Sequence, residues 1–503
     1  MARVVVVGAG AGGMAVAARL AVKGHAVTIL EQSDRVGGKL RGYARDGFVF
    51  DTGPSLFTLP AVYRDLFLKT GSALEENVDL QPIDIGFGYH FADGSAVDLP
   101  GVDSARCADA LGEQLGGDAA REWRSLMARA GRIWDITRRP FLESPLRGAR
   151  TLAPMAWRVR DLRTVAPWKS LRQLGNDHFS DPRLVTLLDR YATYAGSDPR
   201  RAPAALATIP YVEQTFGAWH LGGGLHTLSD ALLRRCVERG VDVRLGCDVA
   251  RVVIDAGRVS GVELADGQRL PADIVVSDAD AAHLYGDLVA DSVARKPRRK
   301  LERATPSLSG FVMLLAVRGR TPGIRHHNVW FPADYDAEFD SIFGAAARPV
   351  DDPTIYACVP DDPLMRPDDD HESWFVLVNA PRNALSSPGA STGAGVVDWS
   401  GPGVGAAYGK HVLDVLARRG VDLRDRILWS EIRTPADLER ETRSPGGAIY
   451  GTSSNGARAA FLRPANQSSI PGLYLVGGSA HPGGGLPLVG LSAEIVATLI
   501  GRA

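Results

Sequence analysis

The sequence has few cysteines, almost no net charge and no long apolar run, and each of these absences excludes a class of protein. Its four cysteines lie far apart and form no C-x-x-C pair, which argues against a disulfide framework, a zinc ribbon or a dithiol redox motif. Lys and Arg (57) nearly balance Asp and Glu (58), so no overall field attracts nucleic acid. We therefore expect a reducing, cytoplasmic location and no nucleic-acid partner.

The sequence also lacks the uninterrupted apolar run of about 18–20 residues that a transmembrane helix needs. The nearest stretch, residues 486–500, is broken by Gly490. The apolar start of the chain is interrupted by glycines from Gly8 onward, and no cleavage site follows, which is untypical of a signal peptide. We therefore expect any contact with a membrane to be peripheral.

The chain is long enough for more than one hydrophobic core. Of its 503 residues, 45% are hydrophobic and 23% are charged, which is close to the average for globular proteins. Single cores stop growing at about 250–300 residues. The composition therefore predicts a folded protein of at least two domains and excludes a disordered, collagen-like or coiled-coil chain.

The amino end carries a dinucleotide-binding pattern. Residues 4–7 are apolar and β-branched, which is typical of a buried parallel strand, and a G-x-G-x-x-G loop and a helical stretch follow. A second apolar run, residues 26–30, ends at Glu31, which can bind ribose hydroxyls and would repel a 2′-phosphate. The loop permits close approach of its backbone to a pyrophosphate, so the pattern predicts FAD or NAD. Its glycines are Gly8, Gly10, Gly12 and Gly13.

Two motifs follow the second apolar run. Residues 33–39 read SDRVGGK and residues 50–54 read FDTGP, and both motifs resemble FAD-binding two-domain flavoproteins of the amine-oxidase type. Read alone, the FDTGP stretch is also compatible with an ordinary turn. In similar flavoproteins a residue that opens a later hairpin contacts the adenine through its backbone. The cofactor contacts that this resemblance implies are Gly38, Lys39, Gly53, Pro54 and Val249.

The carboxyl end carries an apolar strand followed by a glycine-rich loop. Residues 472–490 read GLYLVGGSAHPGGGLPLVG, and this strand with its G-x-x-H-P-G-x-G-x-P loop resembles the carotenoid (phytoene) desaturase family of FAD-dependent oxidoreductases. Residues 446–451, which read GGAIYG, together with residues 477–479, which read GGS, are more similar to the branch that acts on hydroxylated or already desaturated acyclic carotenoids, such as hydroxycarotenoid 3,4-desaturases. A helix that starts at about Val489 can direct free N–H groups at the flavin. The residues implied at this end are Gly477, Gly478, Leu488 and Val489.

The resemblance implies an α/β (overall α+β) fold with the two-domain architecture of the amine-oxidase flavoproteins. We expect a discontinuous Rossmann-type FAD-binding domain from residues 1–95, 220–300 and 440–503. Residues 305–435 are expected to form a mixed-sheet substrate domain. Residues 100–215 are expected to form a helical, membrane-facing lid, with one periodic stretch at 123–136 and another at 178–194.

The implied activity is an FAD-dependent desaturation that introduces double bonds into an acyclic polyene, with hydride transfer to flavin N5. The substrate would be a phytoene-type or hydroxylated carotenoid, and oxygen or a quinone would accept the electrons. The alternatives are a related flavin oxidase, a carotenoid isomerase or oxygenase of the same fold, and a non-catalytic lipid-binding escort protein. A complete phosphate and ribose site argues against the escort protein. The sequence leaves the oligomeric state open.

No residue stands out as a catalytic base, and the catalytic residues stay unassigned. His481 is expected to bond to backbone beside Pro482 rather than to act as an acid or base. His326 and His327 suggest a metal pair, but adjacent residues of a strand point to opposite faces, so no metal site is predicted.

Residues 138–172 combine positive charge with aromatic side chains in a nearly neutral protein. Nine basic residues stand against Glu143 and Asp161 in this segment, with tryptophan and phenylalanine between them. Such a composition is typical of a segment at an anionic membrane interface, although a solvated basic face paired with acids elsewhere is the alternative. The resemblance adds peripheral membrane association. The basic residues are Arg138, Arg139, Arg147, Arg150, Arg158, Arg160, Arg163, Lys169 and Arg172.

Overall fold

The computed structural model describes residues 1–146, 158–384, 396–456 and 459–503 of the chain. Its first layer is a five-stranded sheet in which all neighbouring strands are parallel. The start, the middle and the end of the chain meet in this one sheet. In spatial order its strands are Asp242–Arg244, Ala26–Leu30, Arg3–Val7, Ile274–Ser277 and Leu473–Leu475.

Both faces of the parallel sheet are covered. Val4 and Val6 pack into one core, and Val5 and Val7 pack into another, because successive strand residues point to opposite faces. This double burial explains the continuous apolar run at the amino end. The first face packs against helices Ala11–Val22, Ala61–Thr70, His226–Glu238 and Leu486–Ile500. The second face packs against the antiparallel strands Val249–Asp255, Arg258–Leu264 and Arg269–Pro271.

A seven-stranded mixed sheet forms the second layer. Its strands, in spatial order, are Ile427–Arg433, Ser309–Arg318, His371–Ala380, Ile355–Cys358, His327–Trp330, Ile85–His90 and Ala96–Pro100. Met313 and Leu315 pack on one face against helix Val404–Arg418. Leu314 and Ala316 point to the other face, where they meet Phe48 of the hairpin formed by strands Gly42–Arg45 and Phe48–Asp51.

Helices dominate the segment between these sheets. Most of the predicted stretch at residues 178–194 is the helix Pro182–Thr193, but its first residue, His178, ends the preceding helix. Asp181 caps the second helix by accepting a hydrogen bond from the N–H of Arg183, and Pro182 occupies its first turn, where the missing N–H costs nothing. The helices are Ser104–Leu115, Ala119–Thr137, Val159–Val165, Leu171–His178, Pro182–Thr193 and Thr208–Phe216.

The remaining elements connect these layers. They include strands Phe57–Thr58, Leu80–Pro82, Ala218–Leu221, Arg382–Asn383 and Val396–Val397, and helices Ala281–His283, Asp291–Glu302, Tyr335–Phe343, Pro435–Thr442 and Ala459–Leu462. Within the described part of the chain, no helix combines the length and apolarity needed to cross a membrane. The mixed α/β class is confirmed, while the division into three sets of domain boundaries stays a prediction.

Candidate active site

One cavity of about 980 Å³ extends from the parallel sheet to the mixed sheet and the helical segment. Of the fourteen residues that the sequence predicts as cofactor contacts, Gly13 is the one that does not line it. The others all do: Gly8, Gly10, Gly12, Glu31, Gly38, Lys39, Gly53, Pro54, Val249, Gly477, Gly478, Leu488 and Val489. The structure therefore brings together segments that are hundreds of residues apart in the chain.

The amino-terminal loop turns at Gly8, whose φ of +100° favours glycine, and the helix begins at Ala11. Gly13 does not line the cavity but lies against the end of the strand. A Cβ at this position would collide with the carbonyl oxygen of Gly8, so only glycine lets the helix pack this closely on the strand end. The helix start directs free N–H groups and its positive dipole end into the cavity.

The Glu31 carboxylate is held in a fixed orientation at the end of its strand. It accepts hydrogen bonds from the backbone N–H of Ala9 (2.8 Å) and of Ser33 (3.0 Å). The Arg41 guanidinium lies 3.7 Å away and balances its charge. Its oxygens keep further lone pairs, which suit it to accept hydrogen bonds from ribose hydroxyls at the cavity wall.

Asp278 lines the same cavity, and the sequence analysis missed it. Its side chain lies in the mouth of the loop, where a Cβ at Gly10, Gly12 or Gly477 would collide with a carboxyl oxygen. Burial raises the pKa of Asp278 to about 8, although the N–H groups of Gly13 and Gly10 oppose this shift. A protonated carboxyl can donate a hydrogen bond to a phosphate, so the site fits a pyrophosphate while Asp278 is neutral. An acid at the carboxyl end of a parallel strand beside a glycine loop is the signal that could have found it.

Lys39 crosses from the FAD-type extension to the carboxyl-terminal third of the chain. Its Nζ donates hydrogen bonds to the carbonyl oxygens of Ala448 (3.1 Å) and Ile449 (2.8 Å). Burial lowers the pKa of Lys39, with the charge of Asp280 acting against this shift. A Cβ at Gly53 would collide with the carbonyl oxygen of Lys39, so the FDTGP turn needs glycine for this close approach.

The carboxyl-terminal helix begins earlier than the sequence predicts. It starts at Leu486 rather than at Val489, because Gly485 serves as its N-cap residue. The N–H of Val489 donates to the carbonyl oxygen of Gly485 (3.0 Å) and is not free for a ligand. Leu488 lies in the first turn, where N–H groups have no acceptor within the helix, and it is the better donor towards a flavin.

His481 is fully buried and links the glycine loop to the helical segment. Its Nε2 lies 2.8 Å from the carbonyl oxygen of Phe141 and 3.0 Å from that of Ser144, and it must donate because carbonyls only accept. Burial lowers the pKa of His481 to about 4, which keeps the imidazole neutral. The ring thus binds backbone, as expected, but the acceptors belong to another segment rather than to its own loop.

The expectation that His326 and His327 point to opposite faces is wrong. The strand begins at His327, so His326 lies outside it, and the two ring centroids are 4.6 Å apart. Cys358 lies beside them, and the three side chains could in principle share a metal ion. Burial raises the pKa of the Cys358 thiol well above its usual range and so disfavours the thiolate that binds metals. The absence of a metal site stays a prediction.

The half of the cavity that lies away from the glycine loop is largely apolar. The mixed sheet contributes Val312, Phe375 and Leu377 to its wall. Helical segments contribute Ile209 and Val212 from the opposite side. Such walls bind a long hydrocarbon by excluding water from it.

A dinucleotide loop that opens into an apolar cavity under a mixed sheet defines the class of two-domain flavin oxidoreductases. Residues 11–366 match the sequence model of the family described as flavin containing amine oxidoreductase, and the chain belongs to this family. It is accordingly an FAD-dependent oxidoreductase, which confirms the predicted cofactor.

Relatives of known name cover nearly the whole chain. A protein named 4,4'-diapolycopene oxygenase from Methylomonas sp is 33% identical over 98% of this chain and 97% of its own length. A hydroxyneurosporene desaturase from Rubrivivax gelatinosus is 34% identical over 98% of this chain and 92% of its own. A 1-hydroxycarotenoid 3,4-desaturase from Flavobacterium sp. (strain P99-3) is 31% identical over 99% of both chains. These relatives confirm the resemblance to carotenoid desaturases.

Solved structures share the fold at much lower identity. Cyclohexylamine oxidase from Brevibacterium oxydans IH-35A superposes with a TM-score of 0.62 at 16% identity, covering 99% of both chains. An oxidoreductase from Methanosarcina mazei gives a TM-score of 0.63 at 15% identity, covering 99% of this chain and 100% of its own. The amine-oxidase architecture is therefore confirmed.

Proposed function

We propose that this protein is an FAD-dependent desaturase that introduces double bonds into an acyclic polyene of the carotenoid type. The observation that carries the proposal is the single cavity in which the dinucleotide loop and a long apolar wall meet. Relatives named as carotenoid desaturases, at 31–34% identity over nearly the whole chain, support the substrate class.

The reaction removes a hydride from an allylic carbon and a proton from its neighbour, and a double bond forms between them. When bound, the flavin supplies the hydride acceptor at N5. The residues of this chain hold the pyrophosphate at the glycine loop, orient the ribose at Glu31 and exclude water with apolar walls. A developing cation is delocalised along a conjugated chain, so a strong positioned base is not obligatory. The electrons then pass to oxygen or a quinone.

A second candidate function is oxygenation of the polyene. The 33% identity with 4,4'-diapolycopene oxygenase, over 98% of this chain, favours it specifically. The two reactions leave different products. Desaturation lowers the mass by a pair of hydrogen atoms for each double bond, whereas oxygenation adds oxygen.

The test uses FAD-loaded protein in liposomes that contain an acyclic carotenoid, either hydroxylated or lacking the hydroxyl group. We expect a red shift of the polyene absorbance together with loss of hydrogen by mass spectrometry. A gain of oxygen would replace desaturation with the second candidate. Flavin reduction by amines without any change in the polyene would contradict both.

We further propose that the helix Val159–Val165 and its surroundings dock on an anionic membrane. Arg160 and Arg163 are exposed on this helix and Arg158 just before it, and 62% of Trp168 is exposed nearby. The inner side of the same helix lines the cavity, which supports entry of a lipophilic substrate from the bilayer. Residues 147–157 of the predicted basic segment, which include Arg147, Arg150, Met155 and Trp157, lie outside the described residues.

A further inference from the structure

Arg190 is a buried cation in the wall of the cavity's apolar half. It lies in helix Pro182–Thr193, is 6% exposed and lines the cavity. Its guanidinium carbon stands 5.0 Å from the ring centroid of Tyr194 and 5.3 Å from that of Tyr356. The two ring faces stabilise its charge and fix its position.

The guanidinium forms no ion pair with a carboxylate among the described residues, although its charge acts on the buried Glu213 carboxyl from a distance. Its Nε finds no hydrogen-bond acceptor there. The neighbouring acid, Glu213, instead accepts hydrogen bonds from the hydroxyls of Tyr191 (2.6 Å) and Tyr194 (3.3 Å). The segments that the description omits, residues 147–157, 385–395 and 457–458, contain no Asp or Glu.

Another arginine of the same region, Arg200, is paired with a carboxylate, which is the usual arrangement. Arg200 places its Nε 3.0 Å and a terminal nitrogen 2.9 Å from the two oxygens of Asp198, a paired fork. Arg190 presents the same rigid donors to a cavity instead. Because a buried charged donor without an acceptor is costly, such a group is retained where a ligand brings the acceptor.

Tyr450 connects Arg190 to the carboxyl-terminal glycine loop. The charge of Arg190 opposes the burial that raises the pKa of Tyr450. The Tyr450 ring in turn packs on Gly484 in the carboxyl-terminal glycine loop, where a Cβ would collide with it. A group held by Arg190 therefore lies within the same cavity as the reacting carbons.

We propose that Arg190 binds an oxygen atom in the end group of an acyclic polyene and so selects oxygen-bearing substrates over plain hydrocarbons. The proposal rests on the polyene function proposed above and narrows its substrate class. Both a hydroxyl and a carbonyl oxygen accept from a guanidinium, and the walls of the cavity accommodate the hydrocarbon part. Binding at Arg190 determines which carbons of the polyene lie beside the flavin.

The test compares binding with turnover in FAD-loaded protein. Three polyenes of equal length are used, one with a terminal hydroxyl, one with a terminal aldehyde and one without oxygen. Dissociation constants are measured under anaerobic conditions by the change in flavin fluorescence. Turnover is measured by mass spectrometry. Variants Arg190→Met and Arg190→Lys are compared with Arg235→Met, which removes a fully buried arginine outside the cavity.

We expect the wild type to bind an oxygen-bearing polyene about ten- to a hundredfold more tightly than the hydrocarbon, as a charged hydrogen bond provides. Arg190→Met should abolish this preference while keeping FAD and the affinity for the hydrocarbon. Arg190→Lys should keep part of the preference, and Arg235→Met all of it. If Arg190→Met weakens the binding of all three polyenes equally, or of none of them, the proposal is wrong. If the preference behaves as expected but no polyene changes in mass, the proposed desaturation fails while the binding role of Arg190 stands.

Discussion

The two halves of the cavity are lined differently, one mainly by backbone and the other by side chains. The dinucleotide half consists mainly of backbone: glycine turns and the first turns of helices Ala11–Val22 and Leu486–Ile500. The substrate half consists of side chains from separate segments, such as Val212, Leu377 and Arg190. Short contiguous motifs specify a backbone site, whereas a side-chain site emerges only when distant segments pack together. The first half should therefore respond to steric changes, and the second to changes in chemistry.

The largest expected effect tests the steric part of this comparison. Gly13→Ala places a Cβ against the carbonyl oxygen of Gly8 and should weaken FAD binding by about ten- to a hundredfold, since backbone must shift. Flavin fluorescence titration measures it. Gly286→Ala, where a Cβ meets open space, is the matched control and should leave the affinity unchanged. Equal affinities for the two variants would show that close packing at this loop is not what holds the cofactor.

Asp278 is a side chain in the dinucleotide half of the cavity. The pH dependence of FAD binding therefore tests whether that half depends on backbone alone. Its pKa of about 8 means that the carboxyl is mostly neutral at pH 7 and mostly ionised at pH 9. An ionised Asp278 repels the pyrophosphate, so FAD affinity should fall about tenfold from pH 7 to pH 9. The charge of Glu31 adds to the rise in the pKa of Asp278, and the charge of Lys39 opposes it.

Asp278→Asn should abolish this pH dependence, because an amide donates hydrogen bonds at every pH in the range. Titration of apoprotein with FAD at several pH values measures it. Asp273→Asn changes an exposed acid just before the same strand and should behave like the wild type. A pH dependence that persists in Asp278→Asn would assign it to another group.

The sequence predicts the backbone-built half far better than the other. The glycine loop, Glu31 and the carboxyl-terminal strand are recognisable because local geometry demands those residues in that order. The sequence analysis missed Asp278 because a single acid after a strand is common, and its burial depends on the loop that packs over it. Arg190 escaped because nothing in an amphipathic helix indicates that its partners are ring faces rather than carboxylates. His326 was misplaced because the start of its strand depends on pairing with Ile85–His90.

A smaller effect is expected where the substrate half meets a membrane. Arg160 and Arg163 point outward from helix Val159–Val165, while Leu162 and Val165 line the cavity. Each substitution, Arg160→Gln or Arg163→Gln, should weaken binding to phosphatidylserine vesicles about fivefold, from the roughly 1 kcal/mol that a basic residue contributes near such a surface. Co-sedimentation measures it. Arg269→Gln removes an exposed charge on strand Arg269–Pro271, outside this helix, and serves as control. Equal losses in all three variants would indicate a general charge effect rather than docking by this helix.

The smallest effect is expected at His481, which lies between the two halves. Its neutral imidazole donates to the carbonyl oxygens of Phe141 and Ser144, so it acts on the position of the helical segment rather than on a proton of the substrate. His481→Asn retains a donor, and kcat per bound flavin should change less than about threefold, with a loss of about 1 kcal/mol in the free energy of unfolding. The pH profile of kcat should keep its shape, because a group with a pKa of about 4 does not titrate between pH 6 and pH 9. A large fall in kcat with a displaced pH profile would instead make this histidine catalytic, and the boundary between the halves would then carry chemistry that neither half carries alone.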